Sequence, residues 1–430
     1  MSTPAVYLVA GARTSFCKAG TLLADVDAVE LGRTVTAAVL AKTGLDPELI
    51  DETIFGCVGQ PMDAMNIARV IALRAGVPES VPSYTVHRNC ASGLESVTQA
   101  ADRIMLGRGH VYLAGGTESM SRYPLLFSDS AAGKFAALAR ARTFGQKVSG
   151  LLRFRPRDFA PRASLLLGLT DPVCGLNMGQ TAEVLARDWQ ISRDDQDAFA
   201  LRSHQRATAA RERLAAEITP VFPRGQKEAS AVTLENGVRD GQTMEALTRL
   251  RPIFEKHHGT VTAGNSSQIT DGAAALLVMS ETALARSGLK PLGRIVAHAA
   301  AGCAPARMGL GPVFAIARAE ANSGLKLGDA EVIEINEAFA AQVLACRAAA
   351  GSAAFARDEL GRERALGEFP DEITNINGGA IALGHPVGAT GARLILTALH
   401  ELRVRKARRA LVTLCVGGGQ GAAVWLESCP

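Results

Sequence analysis

The sequence lacks both the long apolar run of a membrane-spanning helix and the cysteine spacing of a metal site. No segment reaches about 18 uninterrupted apolar residues, so no transmembrane helix is predicted. The eight cysteines form no C-x-x-C pair and no cluster with histidine at metal-ligand spacing. We therefore interpret them as free thiols in a reducing compartment and predict no bound metal.

The sequence also has little excess charge of either sign. Its formal net charge is +4, which does not indicate a nucleic-acid-binding protein by itself. The N-terminus enters an apolar stretch, residues 5–10, without a basic n-region or an arginine-rich transit peptide. Together with the free thiols, this predicts a cytoplasmic protein that binds no nucleic acid.

Aromatic residues are scarce, at 5% of the chain, whereas apolar residues make up 47% and glycine occurs 43 times. Core packing therefore depends on alanine, valine, leucine and isoleucine. This composition is typical of an α/β protein with many tight turns, and a chain of 430 residues is long enough for two to three domains.

The first candidate for chemistry is Cys90. The preceding residues, 83–87, follow a proline and indicate a short extended run. The residues after Cys90 have the apolar spacing of one buried helical face, formed by Leu94, Val97, Ala101 and Ile104. Cys90 is thus predicted in the first turn of a helix, where unpaired N–H groups and a partial positive charge favour a nucleophilic thiolate. A buried structural cysteine is the alternative.

A strand–helix pattern occurs twice in the chain. Residues 43–55 and 323–335 each contain a helix end at glycine, a polar turn and a strand. The helix and strand that end near residue 116 have a counterpart over 390–418. Two copies predict a duplicated α/β unit, with a site where the loops of the copies meet.

Residues 122–269 lie between the two copies and are less regular. A helix is predicted over 193–214, with acidic residues early and arginines late, as the helix dipole favours. The segment 134–162 holds eight Lys or Arg residues against a single acid, Asp158, with leucines and phenylalanines between them. A solvated basic face, a site for a phosphate-rich ligand and a contact with an anionic membrane all stay open for this segment.

Three further motifs have the composition of functional loops. Residues 334–342 indicate a strand end that turns into a helix, with Asn336 at the turn, where asparagine is most often only a cap. His385 lies in a loop between a glycine and a proline, before a helix start made of small residues. Cys415 ends a buried strand, and the three glycines at 417–419 leave backbone N–H groups free to face a ligand.

Together with Cys90, these motifs resemble the thiolase family over essentially the whole chain. The matching stretches are residues 9–14, 66–69, 89–93, 115–121, 178–183, 259–265, 334–342, 375–391 and 414–421. The resemblance implies an α/β duplicated thiolase fold, with two βαβαβαββ halves in five αβαβα layers and an inserted loop domain. It places the N-terminal half at 1–121 and 270–290, the loop domain for CoA and substrate binding at 122–269, and the C-terminal half at 291–430.

The resemblance implies an acyltransferase that cleaves a 3-ketoacyl-CoA with CoA, or that runs the reverse Claisen condensation. Cys90 is expected to attack the 3-keto carbonyl and to hold the acyl group as a thioester. Cys415 is expected to protonate the departing enolate and later to deprotonate CoA. His385 is expected to polarise one thioester oxygen and to help ionise Cys90, with Asn336 orienting a water that completes this oxyanion hole. The N–H groups of Cys90 and Gly417 are expected to form the second hole.

The family also implies binding partners. CoA is a co-substrate rather than a permanently bound cofactor, and Ser267 is expected to contact its pantetheine arm. Met178 and Met308 are expected to contact the substrate, and the basic residues of the middle region are candidates for the phosphates of CoA. A homodimer or a homotetramer is implied. An α-subunit with hydratase and dehydrogenase activities, and a peripheral membrane contact through 134–162, stay open.

The subfamily signals disagree. Residues 351–369 and 153–159 resemble the β-subunit of trifunctional fatty-acid-oxidation complexes. Those relatives usually carry His in place of Asn336 and Cys-Ala-Ala-Gly-Gly in place of the sequence from Cys415, and in both places this chain resembles acetyl-CoA acetyltransferases. Acetoacetyl-selective members, however, commonly have His in place of Asn177. We therefore predict a broad or medium-to-long acyl range, with a biosynthetic acetoacetyl-CoA-selective enzyme as the alternative.

Two other functions agree with parts of the sequence. A decarboxylating ketoacyl synthase generally needs a cysteine with two histidines, and only His385 lies in a matching motif. A non-enzymatic lipid- or nucleic-acid-binding protein that uses the basic middle region would leave Cys90, His385 and Cys415 together unexplained. We therefore favour the acyltransferase.

Overall fold

The short apolar runs form strands, and the segments with helical periodicity form helices between them. A computed structural model describes residues 4–223 and 230–429. The strands are β1 Val6–Arg13, β2 Cys17–Lys18, β3 Glu52–Gly56, β4 Ser83–Val86, β5 Val111–Ser119, β6 Leu125–Leu126, β7 Arg162–Ala163, β8 Thr270–Ser280, β9 Gly293–Gly302, β10 Val332–Ile335, β11 Arg409–Val416 and β12 Gln420–Glu427. The α-helices are α1 Ala28–Thr43, α2 Ile67–Arg74, α3 Ser92–Met105, α4 Asp129–Arg140, α5 Phe144–Leu152, α6 Ser164–Gly168, α7 Met178–Asp188, α8 Arg193–Ala209, α9 Arg211–Ala215, α10 Met244–Thr248, α11 Glu281–Ser287, α12 Gly311–Ser323, α13 Ala340–Gly351, α14 Ala353–Leu360, α15 Ala380–Leu383 and α16 Val387–Arg405.

The main sheet joins two sets of strands with the same arrangement. Its order is β10-β11-β12-β9-β1-β8-β5-β3-β4, with β2 beside β8, and β1 meets β9 in the middle through antiparallel pairs such as Val6 with Ile295. In the first set β3 runs parallel to β5, which is antiparallel to β8. In the second set β10 runs parallel to β11, which is antiparallel to β12. The predicted duplication of an α/β unit is confirmed.

Local details repeat as well. Helices α1 and α12 both end at a glycine in the left-handed conformation, Gly44 with φ 61° and Gly324 with φ 77°. Glycine occupies this C-cap position because a Cβ is strained there. A single parallel bridge from β10 to Thr374 takes the place that β4 has beside β3.

The five layers follow from the alternation of side chains along the strands. On one face of the sheet, residues such as Leu276 and Val412 pack on α3 and α16, which form the central layer. On the other face, Leu277 packs with α1 and α2, whereas Leu411 and Trp425 pack with α12 and α13. The two central helices are therefore enclosed between the two halves of the sheet. The turn before α16, residues 384–386, is buried, whereas the turn before α3, residues 87–90, is partly exposed.

The middle of the chain contains helices α4 to α10 and the small β6–β7 pair. The helix predicted over 193–214 is present but breaks at Ala210 into α8 and α9. The basic segment 134–162 forms most of α4, all of α5 and a 3₁₀ turn, Pro156–Phe159. The predicted boundaries of the loop domain and of the two halves stay predictions, and residues 1–3, 224–229 and 430 within them lie outside the described residues.

Within residues 4–223 and 230–429, none of the helices combines the length and the apolar character that crossing a bilayer requires.

Candidate active site

Cys90 lies in the tight turn between β4 and α3. It stands two residues before Ser92, the first helical residue, so its predicted place in the first turn of the helix is wrong. The reason is the preceding residue, Asn89, whose left-handed backbone (φ 41°) reverses the chain before the helix can begin. The Ser92 hydroxyl accepts a hydrogen bond from the Arg88 N–H (2.9 Å) and donates to the Asn89 carbonyl (2.7 Å), which fixes the turn.

The predicted apolar face of the helix after Cys90 is confirmed, since all four of its residues are buried in the central layer. At the start of this helix, α3 touches α16. A Cβ at Gly93 would lie 2.7 Å from the carbonyl oxygen of Gly388, so glycine is required for this approach. Because His385 comes shortly before α16 and Cys90 shortly before α3, the contact brings the two turns together.

His385 is held by two threonines. The backbone N–H of His385 donates to the Thr270 hydroxyl (3.1 Å), and its ring nitrogen Nδ1 lies 2.7 Å from the Thr390 hydroxyl. The Thr390 hydroxyl donates its proton to the carbonyl of Pro386 (3.0 Å). Since that hydroxyl has one proton, Nδ1–H is the donor to Thr390, and Nε2 is left as an acceptor.

The His385 imidazole is neutral. Burial, and then the charge of Arg393, lower the pKa of His385 to about 3. Its Nε2 accepts a hydrogen bond from Nδ2 of Asn336 at 3.3 Å. A neutral ring with an unprotonated Nε2 is in the protonation state of a base.

Asn336 directly follows β10 and is fully buried. Its N–H donates to the carbonyl of Thr413 (3.0 Å). The side chain of Asn375 accepts from the Ile335 N–H (2.9 Å) and donates to the Ile335 carbonyl (2.8 Å), which fixes the turn. Within the described part of the chain the buried Oδ1 of Asn336 has no hydrogen-bond partner, so it can accept one from a water or a substrate group.

Cys415 is the penultimate residue of β11 and lies in an apolar pocket. It is 1% exposed and packs in one cluster with Met178, Met308 and Phe339. Burial raises the pKa of the Cys415 thiol well above its usual value, and the nearby Cys90 adds to this. Cys415 is therefore a protonated thiol, next to the two methionines that were predicted to contact the substrate.

Gly417 lies in the glycine turn between β11 and β12, close to Cys90. The backbone N–H groups of Gly417 and of Cys90 itself lower the pKa of the Cys90 thiol. Cys90 thus lies near Gly417 and Cys415, and His385 lies next to Asn336.

The pKa of Cys90 differs from the sequence-based expectation. Burial raises it, the two N–H groups lower it, and the carboxylate of Glu118 raises it again, so that the pKa lies above its usual value. The expected depression of this pKa by the helix N-terminus is wrong, because desolvation of the thiolate outweighs the hydrogen bonds. In the free protein Cys90 is a thiol that needs a base.

This raised pKa gives a prediction for alkylation. We expect the rate of Cys90 modification by iodoacetamide to keep rising with pH beyond about 9, because only the thiolate reacts and its fraction is small at neutral pH. Mass spectrometry of the Cys90 peptide after timed reaction at each pH gives the rate. A plateau reached below about pH 8 would contradict a protonated resting thiol.

Ser267 lies at the edge of the site. Its N–H donates to the carbonyl of Ala338 (2.9 Å), two residues after Asn336, and its side chain is half-buried. Ser267 is thus close to the pocket around Cys415, to which Met178 at the start of α7 also belongs.

Glu118 is a positioning residue that sequence reasoning missed. It is fully buried at the end of β5 and accepts hydrogen bonds from the N–H groups of Val58 (3.0 Å), Gly59 (2.8 Å) and Gly388 (2.9 Å) and from the Tyr123 hydroxyl (3.0 Å). It therefore ties the start of α16, and with it the turn of His385, to the other half. The signal was a single acidic residue inside an otherwise uncharged motif of mostly small residues, 115–121.

Comparison with known protein families gives two matches that together span nearly the whole chain. The family described as "Thiolase, N-terminal domain" matches residues 6–282, and "Thiolase, C-terminal domain" matches residues 289–428.

Individual relatives agree. The chain is 43% identical to a 3-ketoacyl-CoA thiolase of Pectobacterium carotovorum, over 99% of this chain and 97% of the relative. It is 41% identical to an acetyl-CoA acetyltransferase of Shinella zoogloeoides, over the full length of both. Among solved structures, human mitochondrial 3-ketoacyl-CoA thiolase in complex with CoA superimposes with a TM-score of 0.85 at 36% identity, covering 100% of this chain and 99% of the human chain.

Proposed function

This chain belongs to the thiolase family and is an acyltransferase, and we propose that it cleaves 3-ketoacyl-CoA with CoA through an acyl group carried on Cys90. The reverse Claisen condensation uses the same site. The observation that carries this proposal is that the half-buried thiol of Cys90 lies near the buried thiol of Cys415, while the neutral imidazole of His385 precedes the helix that touches the start of α3.

The first half-reaction begins with the Cys90 thiol. His385 Nε2 takes its proton, and the thiolate attacks the 3-keto carbon of the substrate. The bond between C2 and C3 then breaks, which leaves the acyl group on Cys90 and an enolate of acetyl-CoA. The Cys415 thiol protonates the enolate carbon, and acetyl-CoA leaves. The raised pKa of Cys415 supports this role, since an acid must hold its proton until the enolate forms.

The second half-reaction transfers the acyl group to CoA. The Cys415 thiolate, formed in the first step, takes the proton of the incoming CoA thiol. The CoA sulfur attacks the thioester carbon, and the Cys90 thiolate leaves and takes back the proton that His385 Nε2 holds. Both thiols are then restored, so the proton balance closes over one turnover.

Two groups of donors stabilise the oxyanions. The N–H groups of Cys90 and Gly417 lower the pKa of the Cys90 thiol, which supports the proposal that they bind the carbonyl oxygen of a group bound to that sulfur. On the opposite side, His385 is a donor once its Nε2 has taken a proton, and the unpartnered Oδ1 of Asn336 is an acceptor that can orient a water. Loss of one such donor typically costs about 3 kcal/mol of barrier.

For CoA, we propose that Ser267 contacts the pantetheine arm, since it borders the pocket next to Asn336. The basic residues of the middle region are candidates for its phosphates. CoA is a co-substrate in this scheme, and no permanently bound cofactor is needed for the steps above.

The acyl range gives a second prediction. We expect activity on acetoacetyl-CoA and on medium- or long-chain 3-ketoacyl-CoA esters. The side chain of Asn177 is occupied as the N-cap of α7, where it accepts from the Gln180 N–H (2.9 Å), so it does not substitute for the histidine of acetoacetyl-selective relatives. Loss of enolate absorbance on adding CoA, across a chain-length series, measures kcat/KM. Activity confined to acetoacetyl-CoA would instead support the biosynthetic alternative.

We also propose a homo-oligomer built on strand β4. This strand is at the edge of the main sheet, and all four of its residues are only half-buried. An open strand edge of this kind can pair with a second copy of the chain. Light scattering should give two or four times the chain mass of 45.0 kDa, and a monomer would contradict the proposal.

We propose in addition a peripheral contact with an anionic membrane through α5. Its apolar residues Phe144 (83% exposed) and Leu152 (82% exposed) project from a helix flanked by arginines and lysines. Co-sedimentation with phosphatidylglycerol vesicles should be lost when both residues are changed to serine, but not when the exposed Met62 and Met65 are. If the wild-type protein does not bind vesicles either, but captures a hydratase/dehydrogenase α-subunit, the result would favour a protein partner for this surface.

A cytoplasmic location stays a proposal. It is supported by the cysteines, all eight of which are free thiols.

A further inference from the structure

The residue before the nucleophile has an unusual backbone. Asn89 has φ 41°, in the left-handed region that few residues other than glycine adopt. Asparagine tolerates this region better than most, and a residue held in it marks a place where the surrounding structure fixes the chain.

The Asn89 side chain reaches across to the other half of the protein. Its Nδ2 donates to the carbonyl oxygen of Gly417 at 2.7 Å, a bond between residues 328 positions apart in the sequence. A Cβ at either Gly417 or Gly418 would lie 3.8 Å from this nitrogen, so the amide packs directly on the glycine turn.

The turn that Asn89 contacts is intrinsically free to move. Residues 417–419 are three consecutive glycines, and Gly418 (φ 91°) and Gly419 (φ 78°) adopt conformations that only glycine takes readily. Gly419 is fixed at the far end, where its carbonyl accepts from the Cys303 N–H (2.7 Å). The near end of the turn is Gly417, whose N–H lowers the pKa of the Cys90 thiol.

We propose that Asn89 is a positioning residue: its amide fixes Gly417 so that the Gly417 N–H faces the sulfur of Cys90 and the oxygen of the group bound there. The proposal rests on the function proposed above and adds to it the group that orients one oxyanion donor. Asn89 acts through Gly417 in this account and does not itself take part in the bond changes.

The test variant is Asn89→Gly, because glycine adopts the left-handed backbone without strain and removes only the amide. We expect kcat for thiolysis to fall about tenfold to 10²-fold with KM nearly unchanged, since a displaced oxyanion donor costs less than a deleted one. We also expect the midpoint of the pH profile for Cys90 alkylation to move up by about half a unit, because the thiolate loses a hydrogen bond. The alkylation readout does not require turnover, so it is informative even if the proposed reaction is wrong.

The matched control is Gln190→Gly. Gln190 also has a left-handed backbone (φ 51°) but lies just past the end of α7, on the protein surface. It should leave kcat and the alkylation profile unchanged. Wild-type kcat in Asn89→Gly would overturn the proposal. A lower kcat with an unmoved alkylation midpoint would also overturn it, because Asn89 would then act on the substrate rather than through Gly417.

Discussion

Replacing Cys90 by alanine should abolish thiolysis, with a loss of about 10⁴-fold or more in kcat. The reason is that the variant has no atom on which the acyl group can rest. Cys415 does not substitute, since it is 1% exposed and burial holds its pKa well above the usual value. The loss of 3-ketoacyl-CoA enolate absorbance on addition of CoA measures the rate directly.

A matched control for Cys90→Ala is Cys57→Ala. Cys57 is a buried thiol whose Sγ lies 3.9 Å from the Glu118 carboxylate. Among the described residues its hydrogen bonds do not reach the glycine turn 417–419. It should retain most of the activity. Equal rates in wild type and Cys90→Ala would remove Cys90 from the mechanism.

Replacing Cys415 by serine should separate the two kinds of step. We expect thiolysis and condensation to fall about 10³-fold. At neutral pH a serine hydroxyl neither protonates the enolate in thiolysis nor deprotonates the methyl carbon of acetyl-CoA in condensation, and general acid–base catalysis contributes about 10²–10⁴-fold. Acyl transfer from acetyl-CoA to Cys90 should fall much less, since a CoA thiolate can leave without full protonation. Rapid-quench measurement of acyl-enzyme formation, beside steady-state thiolysis, gives both rates.

The control for Cys415→Ser is Cys346→Ser. Cys346 is a buried thiol of α13 that donates to the Gly309 carbonyl at 3.0 Å, and a serine hydroxyl can make the same bond. This variant should behave like wild type. Equal losses of acyl transfer and thiolysis in Cys415→Ser would show that the change disturbs the pocket as a whole, against a specific acid–base role for Cys415.

Much of the fold could be predicted because local signals and tertiary packing agree. Gly44 and Gly324 are strong signals for the ends of α1 and α12. In both halves a polar turn and a strand follow the glycine. The helix after Cys90 was found from its apolar spacing alone, and its four residues are all buried. The break at Ala210 between α8 and α9 has no comparable signal in the sequence.

The electrostatics of the site could not be predicted from the sequence. A helix N-terminus next to Cys90 indicated a lowered pKa, but the degree of burial and the carboxylate of Glu118 depend on chain segments far apart in the sequence. The same holds for Thr390, which sets the tautomer of His385, and for the Asn89 amide on Gly417. Residue type predicted which groups react, and the tertiary structure determines their protonation.

The proposed thiolysis mechanism requires that Cys90 carries the acyl group between the two half-reactions. Brief incubation with acetyl-CoA, acid quench and mass spectrometry of the proteolysed protein test this directly. We predict one acetyl group on the Cys90 peptide, removed when free CoA is added before the quench. An acetyl group on Cys415 or another residue instead, or a Cys90 peptide that stays unmodified while turnover proceeds, would contradict the account.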